Sequence, residues 1–386
     1  MPVMDSTRAL AQRLGTQRLS SAPLPHAADA VRLLTCVQSQ ERDHAFFSLA
    51  MRSRQDRYAA VQREFDAGAF VRTHILRPTW HFVAPEDLRW ILALTSPRVL
   101  SSMAARHRQL GLDDTKRMDA GLALLANLLQ DKHFLTRPEL GEAFTERGSP
   151  IKPGEQLGHL LIVAEMGGLI CSCPMKGVHH SYALIDEVIA PTPERSRDEA
   201  VVQLVRRFFS GHGPATVKDF TRWSTMTIAD TKAALAELGN QLEEVEIDGI
   251  PHWFDPTQVR RRSPAAPAAY LFPTYDEAVL TYPQVNFPAL PDHPYAEHTD
   301  PFWACVVLDG TNVGLWKRTV RPDVVEVEVR LAPTVSDDGR EQVRVAAQRL
   351  AGFLERDLSL VENEDAPHLW GGELGHPARR PRRADR

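Results

Sequence analysis

One order of elements recurs along the chain, helix, helix and then a β-hairpin, with no fixed-period repeat in the residues themselves. In the first instance Ala27, Ala28, Val31, Leu33 and Leu34 give residues 26–37 a helical period. Asp43 can cap a second helix through Phe46, Phe47, Leu49 and Met51, and a third spans 58–65 with Gly68 as its stop. Residues 70–76 alternate as a strand, Arg77-Pro78-Thr79 turns the chain, 80–83 returns, and a helix begins at Pro85. In the second instance Thr136 and Glu139 have capping-box spacing ahead of a helix ended by Gly148. A helix over 156–166 closes at Gly167-Gly168, and 169–173 with 180–185 form a hairpin around Lys176-Gly177. The third instance is the clearest. A short helix over 216–223, a turn at Ser224-Thr225-Met226 and a Thr227-capped helix stopped by Gly239 precede strands 242–247 and 250–254 about Asp248-Gly249. Helix-turn-helix followed by a hairpin is the element order of a winged helix, whose second helix can enter a DNA major groove.

Past the linker Arg260-Arg261-Arg262-Ser263-Pro264-Ala265-Ala266-Pro267 the character changes. Residues 303–308 and 313–317 pair through Asp309-Gly310, 324–331 alternates strictly, and 341–356 is an amphipathic helix. From Glu362 onward periodicity ends, and Arg379, Arg380, Arg382, Arg383 and Arg386 mark a basic tail expected to be disordered. The expected architecture is α+β. It has helix–hairpin units over 1–130, 131–195 and 196–262, a β-rich subdomain with a closing helix over 263–361, and the tail over 362–386. A chain of 386 residues suits such a division.

Lys plus Arg number 45 and Asp plus Glu 50, a formal charge of −5, so a uniformly basic coat is excluded and any nucleic-acid surface must be local. The best local cluster is Arg52, Arg54, Arg72 and Arg77. No run of 18 apolar residues exists, and residues 1–19 carry Arg8, Arg13 and Arg18 without the apolar centre of a signal peptide; a cytoplasmic protein is expected. Four cysteines, Cys36, Cys171, Cys173 and Cys305, are too few for a disulfide scaffold of this size. Cys171-x-Cys173 with His179-His180 lacks a standard zinc spacing, and its two cysteines share one strand beside a turn, so no metal is expected. No P-loop, dinucleotide fingerprint or common hydrolase motif appears, and no organic cofactor is expected.

The sharpest feature is Gln38-Ser39-Gln40, just past the expected end of a helix. Alone, such a triplet reads as a solvated helix terminus. Its company is the segment Arg77-Pro78-Thr79-Trp80-His81, which offers two cations and an aromatic wedge. With these motifs in view the chain resembles the winged-helix DNA glycosylases of the AlkZ/YcaQ group, which unhook bulky or crosslinked alkyl lesions. The resemblance is carried by Val37-Gln38-Ser39-Gln40, by Leu76-Arg77-Pro78-Thr79-Trp80-His81-Phe82-Val83, and by His212-Gly213-Pro214-Ala215-Thr216 with Asp219-Phe220 and Trp223. Tyr270-Leu271-Phe272-Pro273-Thr274-Tyr275-Asp276-Glu277 and Asp309-Gly310 with Val313-Gly314-Leu315-Trp316-Lys317-Arg318 complete it. Each piece is short, but five stand in the family's order over nearly the whole periodic part of the chain.

The resemblance implies tandem winged helices in a C-shaped molecule with a β-rich C-terminal part, acting as a monomer on double-stranded DNA. It implies catalysis by Gln38 and Gln40, which match the Gln-x-Gln of the AlkZ branch; the YcaQ branch has Asp at the second position. Arg77, Thr79 and His81, with Arg52 and Arg54, are expected to contact DNA. For the hairpin an ordinary surface role stays open, and for His81 a satisfied core histidine. Asp276 reads as a cap or turn contact rather than a partner of an oxocarbenium-like state. His212-Gly213-Pro214 reads as a turn opening a helix.

The chemistry fits glutamine. Cleaving the glycosidic bond of an ordinary base needs leaving-group activation, but an N7- or N3-alkylpurine is already cationic and leaves neutral. What remains is a placed water and stabilisation of the sugar's developing charge. A glutamine carbonyl can orient a water without titrating, as in GTP hydrolysis, and the gain comes from positioning. The expected activity is a monofunctional DNA glycosylase for cationic alkylpurines, extending to interstrand crosslinks and sparing uracil and hypoxanthine. A crosslinked base is tied to both strands, which suits an open cleft better than a deep pocket. The Pro-rich stretch 282–301 departs from the family pattern and is a candidate loop at such a cleft. Two rivals stand beside this reading. A non-catalytic winged-helix regulator would prefer one duplex sequence. A protein-contact module would lack the basic patch.

Overall fold

The computed structural model describes residues 2–282, 286–292 and 304–363. Trp303, the tail from residue 364 and much of the Pro-rich stretch lie outside the described residues. The chain divides into two compact units, residues 1–266 with 273–286, and residues 267–272 with 287–386.

The first unit opens with α1 (Ser6–Thr16), capped by the Asp5 side chain. α2 (Ala27–Leu34) stops because Thr35 takes φ +68°. The chain then enters β1 (Cys36–Gln38), so Gln38 sits on a strand and not past the end of a helix as its sequence suggests. α3 (Arg42–Arg52) and α4 (Tyr58–Asp66) lead to β2 (Val71–Ile75) and β3 (Arg77–Val83). The reversal between these strands falls on Leu76, at φ +63°, one residue before the expected Arg77-Pro78-Thr79 turn. α5 (Pro85–Gln109), α6 (Thr115–Leu129), β4 (Leu135–Thr136), α7 (Arg137–Glu146) and α8 (Glu155–Met166) follow. The Thr136/Glu139 capping box forms as expected. Next come β5 (Ile170–Lys176), β6 (His179–Leu184), α9 (Ile185–Val188), α10 (Arg197–His212), α11 (Val217–Ser224), α12 (Ile228–Leu238), β7 (Glu243–Ile247) and β8 (Ile250–Phe254). α13 (Glu277–Leu280) belongs to this unit as well. No helix among the described residues is long and apolar enough to cross a membrane.

Six strands form one sheet in the order β1-β3-β2-β5-β6-β4. The hairpins of the first two expected units are thus edge to edge, joined at Arg72 opposite Ser172. β7 and β8 make a separate two-stranded hairpin. The rings of Phe46 on α3, Phe65 on α4, Phe70 just before β2 and Phe82 on β3 meet with centroids 5.0–6.4 Å apart. All four are at most 1% exposed. Each such pair adds about 0.5–1.5 kcal/mol beyond the area it buries, which ties α3 and α4 to the β2–β3 hairpin. A second aromatic group, Phe208, Phe209, Phe220 and Trp223, packs α10 against α11. α10 also approaches α2 so closely that a Cβ on Gly211 would lie 2.3 Å from the Leu33 carbonyl oxygen.

The second unit holds β9 (Ala269–Phe272), β10 (Cys305–Leu308), β11 (Thr311–Val320), β12 (Val324–Leu331), α14 (Asp337–Leu354) and β13 (Asp357–Glu362). Its sheet order is β13-β12-β11-β10-β9, with β12 and β13 parallel and the other neighbours antiparallel. The expected boundary at residue 263 needs one amendment, because residues 273–286 leave this part of the sequence to pack in the first unit.

Candidate active site

β1 is three residues long and pairs antiparallel with β3, placing Gln38 opposite His81, Val37 opposite Phe82 and Cys36 opposite Val83. The Gln-x-Gln segment and the hairpin that the sequence sets side by side are therefore hydrogen-bonded neighbours. The Ser39 amide continues the pairing by donating to the Trp80 carbonyl at 2.8 Å.

Gln38 is 6% exposed. Its side-chain Oε1 accepts from Arg77 Nη2 at 2.6 Å. Its backbone N–H donates to Glu277 Oε1 at 2.9 Å. Its amide nitrogen has no hydrogen-bond partner among the described residues. Gln40 is half-buried and more open. Its Oε1 has only a long contact, 3.5 Å, with the Trp80 N–H. Its carbonyl oxygen, with that of Ser39, is held by the Arg72 guanidinium at 2.9–3.3 Å. Arg72 in turn lies over the Trp80 ring, 4.2 Å from its centroid, and donates to His180 Nδ1 at 3.1 Å. Burial of Arg72 pulls its pKa down to about 10, still far above neutrality.

Arg77 is half-buried, and its guanidinium turns to internal acceptors. Nη1 donates to the Trp223 carbonyl at 2.7 Å, and Nη2 serves both Gln38 Oε1 and His81 Nε2, the latter at 3.1 Å. A guanidinium only donates, so His81 Nε2 must be an acceptor. The proton then sits on Nδ1, which donates to the Thr79 carbonyl at 2.9 Å. Burial and the Arg77 charge hold the His81 pKa well below its ordinary value, so the ring is neutral. His180 is pushed down to about 3 by burial and Arg72. Glu277 is wholly buried. Burial alone would raise its pKa, but His212, Arg77 and the Gln38 N–H outweigh that and bring it to about 2. Thr281 Oγ1 donates to its second oxygen at 2.9 Å, and His212 Nε2 stands 3.5 Å from that oxygen.

These contacts correct the expected DNA-facing set. His81 is 0% exposed and is the satisfied core histidine. Arg52 is 0% exposed and bonds Asp276 through both terminal nitrogens, at 2.7 and 2.9 Å. Arg72 is 4% exposed. No phosphate can meet side chains so enclosed. Of the named residues Arg54 is exposed and Arg77 and Thr79 are half-buried, and the Thr79 hydroxyl oxygen is itself buried, with no hydrogen-bond partner among the described residues. Asp276 caps α13, its side chain accepting from the Ala278 N–H, and also closes the Arg52 pair. Sequence reasoning passed over Glu277, which lies 239 residues from Gln38. Among the described residues no group of three or more His, Cys, Asp or Glu gathers as a metal site.

A family model described as DNA glycosylase AlkZ-like matches residues 31–353. The "Interstrand DNA cross-link repair glycosylase" of Streptomyces sahachiroi is 24% identical over 357 residues, 84% of this chain and 90% of that protein. The solved structure of Streptomyces sahachiroi DNA glycosylase AlkZ superposes with a TM-score of 0.73 at 22% identity, over 93% of this chain and 100% of that one. At that identity the superposition speaks for the mixed α and β fold.

Proposed function

We propose, from the premise that the chain belongs to the AlkZ-like DNA glycosylase family and is thus a hydrolase of N-glycosyl bonds, that it releases cationic alkylpurines from double-stranded DNA. N7-alkylguanine and N3-alkyladenine are the lesions, and interstrand crosslinks joined through such bases are unhooked by the same step. Gln38 and Gln40 are the catalytic pair, the protein acts as a monomer, and the exposed Arg54 remains a DNA contact among the residues first named. The crosslink reading draws on the named activity of the Streptomyces sahachiroi relative.

One observation carries the reading. The three side chains in contact with Gln38 have no proton to give near neutrality. Arg77 keeps its charge, His81 is held neutral with its one N–H committed to Thr79, and Glu277 is an anion with a pKa of about 2. Without an acid in contact with Gln38 a neutral base gains no activation there for departure, but a base already cationic needs none. What the site offers is two oriented amides and a buried negative charge behind them, suited to placing water and to an oxocarbenium-like state. Room for a bulky substituent exists nearby. Trp80, whose backbone meets Gln40, lines a cavity of about 770 Å³ with His180, Pro138, Pro153 and Leu157.

The test is base excision from a duplex carrying one N7-methylguanine, beside a nitrogen-mustard crosslink, read as alkali-labile breaks. Wild type cleaves, while Gln38→Ala and Gln40→Ala lose about a hundredfold or more. Duplexes with uracil or hypoxanthine stay intact. A wild type that cuts neither alkylated duplex would overturn the proposal and leave a non-catalytic DNA-binding protein.

A further inference from the structure

We infer that Arg77, backed by Glu277, is a positioning residue that fixes the Gln38 side-chain amide as a hydrogen-bond donor toward the substrate. The inference rests on the glycosylase reading and divides the labour within it. An amide can face a neighbour with its oxygen or its nitrogen, and a guanidinium accepts nothing. The atom 2.6 Å from Arg77 Nη2 is therefore the oxygen, and turning the amide over would set donor against donor. Nε2 is the atom left for a ligand.

Arg77 is itself fixed by acceptors on three elements: Gln38 on β1, His81 on β3 and Trp223 on α11. A half-buried cation committed to three internal acceptors is placed to orient Gln38 rather than to serve a phosphate first. Glu277 supplies the compensating anion and ties down the other side of the same residue, through the Gln38 backbone N–H. The polarity follows. A carbonyl bonded to a cation is a weaker acceptor for a water proton, while the same polarisation strengthens the amide N–H as a donor. Water placement then falls to Gln40, whose Oε1 has only the 3.5 Å contact with Trp80 and whose backbone is pinned by Arg72.

The experiment measures single-turnover excision of N7-methylguanine at saturating enzyme, together with the affinity for the same duplex without the lesion across a salt series. Arg77→Met should lower the excision rate about tenfold or more, leave affinity within about twofold and keep the salt dependence unchanged. Combined with Gln38→Ala it should cost nothing further, since both remove one interaction. Gln38→Glu, which keeps the acceptor and deletes the donor, should be as impaired as Gln38→Ala. Should Arg77→Met fail to fold, Arg77→Lys retains the charge without the fork and must show the same loss. Glu277→Gln retains an acceptor for the Gln38 N–H and must lower rate rather than affinity. A fall in affinity with the salt slope reduced by about one would show a phosphate contact and overturn the inference. So would a loss additive to that of Gln38→Ala, or an active Gln38→Glu enzyme. A wild type inert on both alkylated duplexes defeats the glycosylase reading itself, and this inference with it. An active wild type with any of the other outcomes defeats this inference alone.

Discussion

Replacing Arg52 with methionine should destabilise the first unit without weakening DNA binding. The side chain is 0% exposed, and its guanidinium holds both oxygens of Asp276, the Ser48 carbonyl oxygen and hydroxyl, and Gln17 Oε1, at 2.7–2.9 Å. Methionine fills much of the volume but leaves the Asp276 carboxylate in the interior with only the Ser48 hydroxyl and the Ala278 N–H. Breaking a buried pair from one side costs about 3–5 kcal/mol, because the remaining charge is uncompensated. The unit contains about 280 residues. At about 2.1 cal/mol/K per residue its unfolding entropy is about 0.6 kcal/mol/K, so a loss of about 4 kcal/mol lowers Tm by about 7 °C. Near-UV circular dichroism during heating reads this directly, and fluorescence anisotropy with a labelled duplex at 15 °C reads binding of the folded variant. Adding Asp276→Leu should recover part of the loss by removing the orphaned charge. A Tm within about 1 °C of wild type, with weaker DNA binding and a smaller salt slope, would refute the reasoning and return Arg52 to the DNA surface.

Other outcomes follow from the same contacts. Glu277 has a folded pKa of about 2 against an ordinary 4.5, so its contribution to stability, about 3 kcal/mol by linkage, is complete above pH 4.5 and declines as pH falls toward 2. Urea titrations should accordingly show the gap between wild type and Glu277→Gln narrowing from pH 5 to pH 3; a constant gap would mean that the carboxylate is not held as described. Gly211→Ala should lower stability by about 1–3 kcal/mol in the same titration, because its Cβ would meet the Leu33 carbonyl oxygen at 2.3 Å. An unchanged midpoint would show that α2 and α10 can part freely.

How far the sequence discloses this molecule depends on the range of the forces involved. Strict alternation marks 324–331, and the structure gives β12 the same bounds. The Thr136/Glu139 box, the Thr227 cap and the Asp248-Gly249 turn are likewise local chemistry, legible within a few residues. Cys36 and Val37 prolong the apolar period of α2, which in the sequence sets Gln38 beyond a helix, and a three-residue strand has no period of its own. Pro78 suggested a turn, yet it lies in β3. It is tolerated there because β1 reaches only as far as His81, so no strand on that side needs its missing N–H. The register shift between His74 and Ile75 leaves Pro78 without a partner across β2 as well. At the site itself the two glutamines and the hairpin could be read in sequence. The carboxylate of Glu277 could not, because no local pattern links residues so far apart in the chain. The expected DNA contacts of Arg52 and His81 failed for a related reason: charge in a sequence does not reveal whether a partner awaits it inside.

The excursion of residues 273–286 into the first unit has a consequence for the order in which the enzyme can come into being. Gln38 leaves the ribosome early, but the carboxylate that receives its backbone N–H is 239 residues behind it. At roughly 5–20 residues per second, that interval is roughly 10–50 s of synthesis. Throughout it Arg77 lacks its buried counter-charge and Arg52 lacks Asp276. A nascent chain can assemble its helices and hairpins in that time, but it cannot complete the pocket around Gln38. A product truncated at the Arg260–Pro267 linker would keep every helix–hairpin unit and both glutamines while missing the two acids that anchor them. The surroundings of Gln38 are thereby complete only once synthesis has passed residue 277.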